Sequence, residues 1–478
     1  MTRKTIPTDM FISGEFQPGR GAELKLQNPA TEEQVACFAG ASTEQVDEAV
    51  VAARKAFDSG VWADAALRKE TILRFADLVE RNRDPLMELL LDEVGTPVSL
   101  KPNHVDTPVK FMRWLAEHGS RDRTRQLGLN PAGTGVSTIV YRPVGVVAAI
   151  SAFNYPLLIG LTKIALALST GSTTVLLGSP MAPLTILALG ELAQEAGFPP
   201  GVVNFIAGAK DVGQALTSHA SVDKISFTGS VDVGRQVMKQ GAERLTDTVL
   251  ELGGKSAAIL LPGTDYRKVA FQLHARYARN AGQGCGSPTR ILIEKSRYQE
   301  FCEASREAYE KIIVGDPRDP ATILGPVVSS AQRDRIEGAV NQAVADGAEI
   351  IAGGGRPDRK KGWFMNPALI GNVDNDASIA RDELFGPVSV VLPYESVDEA
   401  IDIANDSELG LKAYLFGDRK QCIELCSRLR VGTVQINGGS PLRPDAPNTG
   451  LKLSGNGSEW GEDGLMEFLV PQHIDVAV

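Results

Sequence analysis

Two successive α/β domains are the fold class predicted by this 478-residue chain, and three observations predict it. The chain is too long for one ordinary core, so two or three domains are expected. From about Ile139 short apolar runs alternate with longer stretches of helical spacing, and after Glu251 the alternation starts again. Such alternation predicts parallel sheets wrapped by helices, because parallel neighbours need a crossover connection.

The elements follow in order. Ser42 to Gly60 reads as a capped amphipathic helix, with Val46, Ala49, Val50, Ala53 and Phe57 on one face and Gly60 as its stop. Strands are expected at Gly145 to Ile150, Thr173 to Leu177, Val202 to Ile206 and Lys224 to Phe227, with helices near Leu157 to Leu168 and Thr185 to Ala196. The second series places strands at Ala257 to Leu261, Ile291 to Ile293, Val388 to Leu392 and Thr433 to Ile436. The basic, glycine-rich segment Gly353 to Gly362 reads as a solvated loop. The last ten residues, Leu469 to Val478, carry one charged side chain, Asp475, and suit an added edge strand on which His473 is a structural residue.

Composition narrows the function. Apolar residues at 43% and charged residues at 23% fit a globular enzyme, and a net charge of −10 with a pI near 5.3 argues against a nucleic-acid or anionic-membrane partner. No uninterrupted apolar run reaches the roughly 20 residues needed to cross a bilayer, and the opening residues lack an apolar signal core. Five scattered cysteines, an odd number, make no disulfide framework and suit a reducing compartment, so a cytoplasmic location is expected.

Chemistry concentrates at a few positions. Cys285 lies among glycines in Asn280-Ala-Gly-Gln-Gly-Cys-Gly-Ser-Pro-Thr-Arg290, where its sulfur can meet a substrate without a bulky neighbour. Upstream, Glu251 in Leu250-Glu-Leu-Gly-Gly-Lys-Ser256 is a carboxylate able to activate water against a thioester. Seen singly, the cysteine reads as a small buried hydrophobe, Glu251 as a surface acid and Asn154 as a turn residue before Pro156. Gly253-Gly-Lys-Ser256 is not a P-loop, since Val249 stands where the motif's first glycine belongs. Phe227-Thr-Gly-Ser-Val-Asp-Val-Gly-Arg235 follows a strand and opens a helix, so its backbone N–H groups can face a pyrophosphate, although it lacks the G-x-G-x-x-G pattern. Cys422 and Cys426 form an i, i+4 pair without a third ligand and the histidines are scattered, so no metal is expected.

In this order along the chain, Ala152-Phe-Asn-Tyr-Pro156, Phe227-Thr-Gly-Ser230 with Gly234, Leu250 to Lys255, Gly282-Gln-Gly-Cys285, Glu383-Leu-Phe-Gly-Pro387, Asn405 to Gly410 and Lys452-Leu-Ser-Gly455 with Glu459 closely resemble the motifs of the aldehyde dehydrogenase superfamily. The resemblance implies a Rossmann-like cofactor domain (1–123 and 143–252), a catalytic α/β domain (253–455) and a small β oligomerisation arm (124–142 and 456–478) in a homodimer or homotetramer. It implies hydrolytic oxidation of a small-molecule aldehyde with NAD as cofactor, NADP being possible. Cys285 would be the nucleophile, Asn154 and the Cys285 N–H the oxyanion donors, Glu251 the base and Glu459 its proton relay. Ser151, Phe153, Ser179, Gly229, Ser230, Gly234, Leu252, Glu383 and Phe385 would contact the cofactor, while Thr289 and Arg290 would support the active-site backbone.

The chain departs from the family pattern at Leu177, where a ribose-gripping lysine is usual, and at Pro180, where a residue helping to choose NAD over NADP is usual. Both changes predict weaker adenosine binding, with Ser179 the nearest remaining polar side chain. Trp114, Gly284 and Gly286 are the positions expected to line the substrate tunnel. With no basic pair visible for a substrate carboxylate, a neutral apolar or aromatic aldehyde is expected. The rival readings are a CoA-acylating dehydrogenase, a thioesterase or esterase without redox chemistry, and a non-redox binding protein with an impaired cofactor site.

Overall fold

Five parallel strands form the centre of the first sheet, in the spatial order Val203–Ala207, Thr173–Gly178, Val146–Ile150, Lys224–Thr228, Asp247–Glu251. These coordinates are a computed structural model that describes residues 6–439 and 442–477. The opening residues, on which the missing signal core was read, and Val478 lie outside the described residues. Met10–Ile12 and Glu15–Gln17 extend one edge of the sheet antiparallel, and Gly455–Asn456 extends the other. The central strands are almost wholly buried, as expected of parallel strands with helices on both faces.

Local sequence accounts for the helices. Ser42 accepts from the Gln45 N–H while the Gln45 side chain returns to the Ser42 N–H, a capping box that starts Thr43–Asp58. Pro156 opens the apolar helix Pro156–Thr170, and Gly171 ends it in the left-handed conformation. The single helix expected over Thr185 to Ala196 is instead two, Leu184–Leu187 and Leu189–Ala196. The buried Glu93 carboxylate accepts the Leu184 and Thr185 N–H groups at 2.7 and 3.1 Å, anchoring the first turn from a distant segment.

The second sheet runs Glu349–Gly353, Ala368–Gly371, Val388–Tyr394, Pro288–Glu294, Ser256–Leu260, Lys412–Phe416, Thr433–Ile436, and is parallel except at its first pair. Lys412–Phe416 is a fully buried strand that the sequence reading passed over, because it opens on a lysine. The chain crosses from the first sheet to the second through Leu252–Lys255 and returns to the first at Gly455–Asn456.

A three-stranded antiparallel sheet stands apart: Arg125–Leu129 pairs with Gly135–Pro143, which pairs with Leu469–Ala477 over nine residues. Among the described residues of 456–478 only that last strand joins it. Asn456 belongs to the first sheet and Ser458–Glu459 pairs with Asn448–Thr449. Among the described residues no helix is long and apolar enough to cross a membrane.

Candidate active site

Two cavities meet at Cys285. The larger, about 820 Å³, opens at the carboxyl ends of the five central strands, where Ile150 to Asn154, Leu177 to Met181, Gly208 to Lys210, Phe227 to Ser230 and Glu251 to Gly253 line it. Strand ends of an open parallel sheet are where such folds place ligands, because the loops there are free to shape a crevice. The smaller, about 370 Å³, lies on the other side. Asn154, Glu251 and Cys285 line both.

A strained turn delivers Cys285. Asn280 and Ala281 have φ of 51° and 54°, and Gly282 follows at 73°. Left-handed backbone is costly for alanine, so the fold must impose it. A Cβ on Gly282 would lie 2.1 Å from the Gly386 carbonyl carbon, so only glycine fits there. The Asn154 amide donates to the Gln283 carbonyl at 3.0 Å, and the Asn280 amide donates to the Asn154 carbonyl at 2.8 Å. One Asn154 N–H is thereby fixed beside Cys285, leaving its second for another acceptor.

Glu251 is buried at the end of its strand, and its Oε1 has no hydrogen-bond partner among the described residues. Burial, aided by the charge of Glu459, pushes its carboxyl up to about 7. Glu459 is itself buried in an ion pair with Lys163, which also donates to Ser226 Oγ at 3.0 Å. The half-buried Cys285 thiol is pushed well above its ordinary value, first by burial and then by the charge of Glu251; Lys412 opposes that rise.

The two glycines after Glu251 are required by what presses on them. A Cβ on Gly253 would lie 2.0 Å from Glu383 Oε2, and one on Gly254 would lie 2.2 Å from the Cys285 carbonyl oxygen. The Gly254 N–H donates to Glu383 Oε1 at 3.0 Å, and burial raises the Glu383 carboxyl to about 7. Lys255 donates to the Ile379 and Asp382 carbonyls at 2.9 and 2.6 Å, holding the segment that carries Glu383. Gln332 donates to the Leu384 and Phe385 carbonyls at 2.9 Å each, so Phe385 keeps a left-handed φ of 53° and its ring meets Phe153 edge-on at 5.7 Å.

All nine expected cofactor contacts except Gly234 line the larger cavity. Gly234 lies beneath it: a Cβ there would lie 2.7 Å from Leu252, whose side chain uses that space. Ser230 caps helix Val231–Arg244 through the Val233 N–H, and Ser151 donates to the Pro156 carbonyl at 3.0 Å. Leu177 and Pro180 line the same cavity, as do Lys210 and Gln214, which sequence reading missed. Helix N-termini, cations at Lys210 and Arg335 and an acid at Glu383 fit a dinucleotide with its phosphates over the helices. Arg290 donates to the main-chain carbonyls of Lys255, Ile403 and Ala404.

Two expectations about the smaller cavity need correction. Trp114 is not among its lining residues; its ring stacks on His118 at 4.1 Å in the helix Thr107–Gly119. A basic set does exist: Arg276, Arg279 and Lys412 all line the cavity, brought together from the helix end before Cys285 and from the buried strand Lys412–Phe416. Only Lys412 left a trace in the sequence, as a charge opening an otherwise apolar run. Gly284 and Gly286 do line the cavity.

A family profile described as Aldehyde dehydrogenase family matches residues 16–474. Geranial dehydrogenase of Castellaniella defragrans is 38% identical over 465 residues, covering 95% of this chain and 96% of that protein. Human retinal dehydrogenase 2 is also 38% identical, with 98% and 92% covered. Among solved structures, betaine aldehyde dehydrogenase from Staphylococcus aureus in complex with NAD+ aligns at a TM-score of 0.96 with 35% identity, covering 99% of this chain and 95% of that one. An NAD+ complex of aldehyde dehydrogenase from Bacillus cereus aligns at 0.95 with 34% identity, over 98% and 96% of the two chains. The chain belongs to the aldehyde dehydrogenase family. It is an NAD(P)-dependent enzyme that oxidises aldehydes.

Because the Glu251 charge raises the Cys285 thiol, Glu251→Gln is expected to move the pH profile of Cys285 alkylation by iodoacetamide to lower pH. Peptide mass mapping separates Cys285 from the other free thiols; a profile that moves upward or stays in place would refute the coupling.

Proposed function

We propose that this enzyme converts an aldehyde to its carboxylic acid with NAD as the acceptor and water as the final nucleophile. The observation that carries the reading is that Cys285, Glu251 and Asn154 sit together where the two cavities join. A substrate entering from the smaller cavity reaches the sulfur from the side opposite the cofactor.

In this reading Glu251 accepts the Cys285 thiol proton and passes it on as the sulfur attacks the aldehyde carbon, and the free Asn154 N–H with the Cys285 backbone N–H receives the alkoxide oxygen. Removing one such donor costs about 10²–10³ in kcat at other acyl-transfer sites. A bound nicotinamide would supply the acceptor for the hydride that must leave the hemithioacetal carbon, with its two electrons, for the thioester to form. Glu383 and Phe385 position that end of the cofactor. Glu251 then takes a proton from water, which cleaves the thioester, and passes the proton towards Glu459. Its elevated carboxyl suits the task, because a base near the working pH both accepts and releases the proton. A base at this place favours water over CoA.

NAD is favoured over NADP. Leu177 and Pro180 offer no cation to a 2′-phosphate, and the two solved relatives carry NAD+. Ser179, Gln214 and Lys210 also line this cavity, and the Lys210 cation makes the preference for NAD a partial one. Leu100, Tyr155, Leu158, Ile159, Tyr414 and Trp460 wall the smaller cavity, which suits an apolar or aromatic aldehyde body. Five free thiols fit a cytoplasmic location.

The test is the absorbance of reduced nicotinamide with aliphatic and aromatic aldehydes, NAD and NADP being run separately. Reduction with NAD, release of the free acid without CoA and loss of activity in Cys285→Ala are expected; no reduction with either cofactor refutes the reading. Glu251 works as a base only when deprotonated. Acyl-enzyme hydrolysis should therefore rise with pH through about 7 and level above it, whereas a flat profile across that range argues for another base.

We also propose a homo-oligomer built through the three-stranded sheet. Leu127, Leu129, Val470 and Val476 leave large apolar groups exposed on it. Replacing Val470 and Val476 by lysine should yield a smaller species in sedimentation velocity; an unchanged mass would place the interface elsewhere.

A further inference from the structure

Lys412 is a buried ammonium without a committed partner. It is 8% exposed, it lines the smaller cavity, and among the described residues its Nζ makes no hydrogen bond or ion pair. Its stem runs past the residue after the nucleophile: a Cβ on Gly286 would lie 2.7 Å from Lys412 Cδ and 3.1 Å from Cε. Its charge acts on both Cys285 and Glu251, which places the amino end near the reacting atoms. Gly286 therefore does more than shape a turn, since any side chain there would displace Lys412.

The acids that line this cavity do not balance its cations. Glu459 is committed to Lys163. Glu251 holds its proton up to about 7, and as the base it must stay free to accept one. Against them stand Lys412, Arg276 and Arg279. Arg276 is engaged by Gln435 and lies over the Tyr414 ring at 5.2 Å. Arg279 is exposed, its guanidinium makes no hydrogen bond among the described residues, and it is felt by the Tyr155 hydroxyl on the cavity wall. A charge buried without a partner is strongly unfavourable, so a ligand that supplies the missing anion binds selectively.

We propose that the aldehyde substrate carries a carboxylate, which Lys412 and Arg279 receive while the apolar walls hold the body between it and the aldehyde. This rests on the reading of the site as an aldehyde-oxidising one and names its substrate class. A neutral aldehyde leaves Lys412 unpaired, and a cationic one meets like charge.

Two matched pairs test the proposal: 4-carboxybenzaldehyde against 4-methylbenzaldehyde, and succinic semialdehyde against butanal. In at least one pair kcat/KM should favour the carboxylated member by about tenfold or more, the scale of one charge-assisted hydrogen bond. Lys412→Met and Arg279→Gln should each lower that ratio several-fold, chiefly through KM. Arg279 is exposed, so its variant tests the proposal even if Lys412→Met does not fold. Neutral members favoured in both pairs, or variants that depress both members of a pair alike, would overturn it. Calorimetric binding of the same aldehydes to Cys285→Ala separates the two levels of the account. Tighter binding of the carboxylated member without turnover by the wild type would defeat the oxidation reading but not the substrate class. Equal binding within both pairs would defeat the substrate class alone.

Discussion

Everything in the site depends on the turn Leu252–Lys255, the short passage from one sheet to the other. Glu251 ends the first sheet just before it, and Ser256 begins the second just after it. The Glu383 carboxylate and the Cys285 carbonyl both press against its two glycines. A side chain at either glycine would push one of these groups away. Cys285, Glu251 and Glu383 are thereby set from three distant segments by one close backbone approach. Lys255, buried at the end of the turn, ties the Glu383 segment down through main-chain carbonyls. The usual preference of a buried lysine for an acidic partner is met here by carbonyl dipoles and by the nearby charge of Glu383.

The electrostatics follow from that geometry. Two carboxyl groups, Glu251 and Glu459, are buried close enough to feel each other, but only Glu459 has a buried cation of its own. The result is a division of labour, with one acid paired to Lys163 and the other, Glu251, raised to about 7, where it can exchange protons. Cys285 stands next to that second acid and is hindered from ionising by it, while Lys412 acts in the opposite sense. Lys412 thus adds a positive charge beside Cys285 and Glu251 while lining the smaller cavity.

Much of this was legible in the sequence because it is written in local words. Cys285 between glycines, Glu251 before Gly253-Gly254 and Asn154 before Pro156 each sit in a short motif, and the alternation of apolar runs located four of the five central strands to within a residue or two, missing Asp247–Glu251. The broken helix at Ala188 was not legible, since its first turn is anchored by Glu93 from another segment. Nor were Lys163, Arg276, Arg279 and Lys412, whose meaning arises only when strands and helix ends converge. Lys412 offered a hint, a charge at the head of a buried strand, and reading it would have shown a cation on the wall of the smaller cavity. Trp114 failed for the converse reason, as its position in a helix near the site says nothing about which way its ring packs.

The account turns on Cys285 carrying the acyl group and Glu251 releasing it. The most direct measurement is intact-protein mass after mixing Glu251→Gln with NAD and an oxidised aldehyde. The account predicts one reduced nicotinamide per active site and a persistent acyl adduct that peptide mapping places on Cys285. Steady turnover at the wild-type rate, or an adduct on another residue, would contradict it.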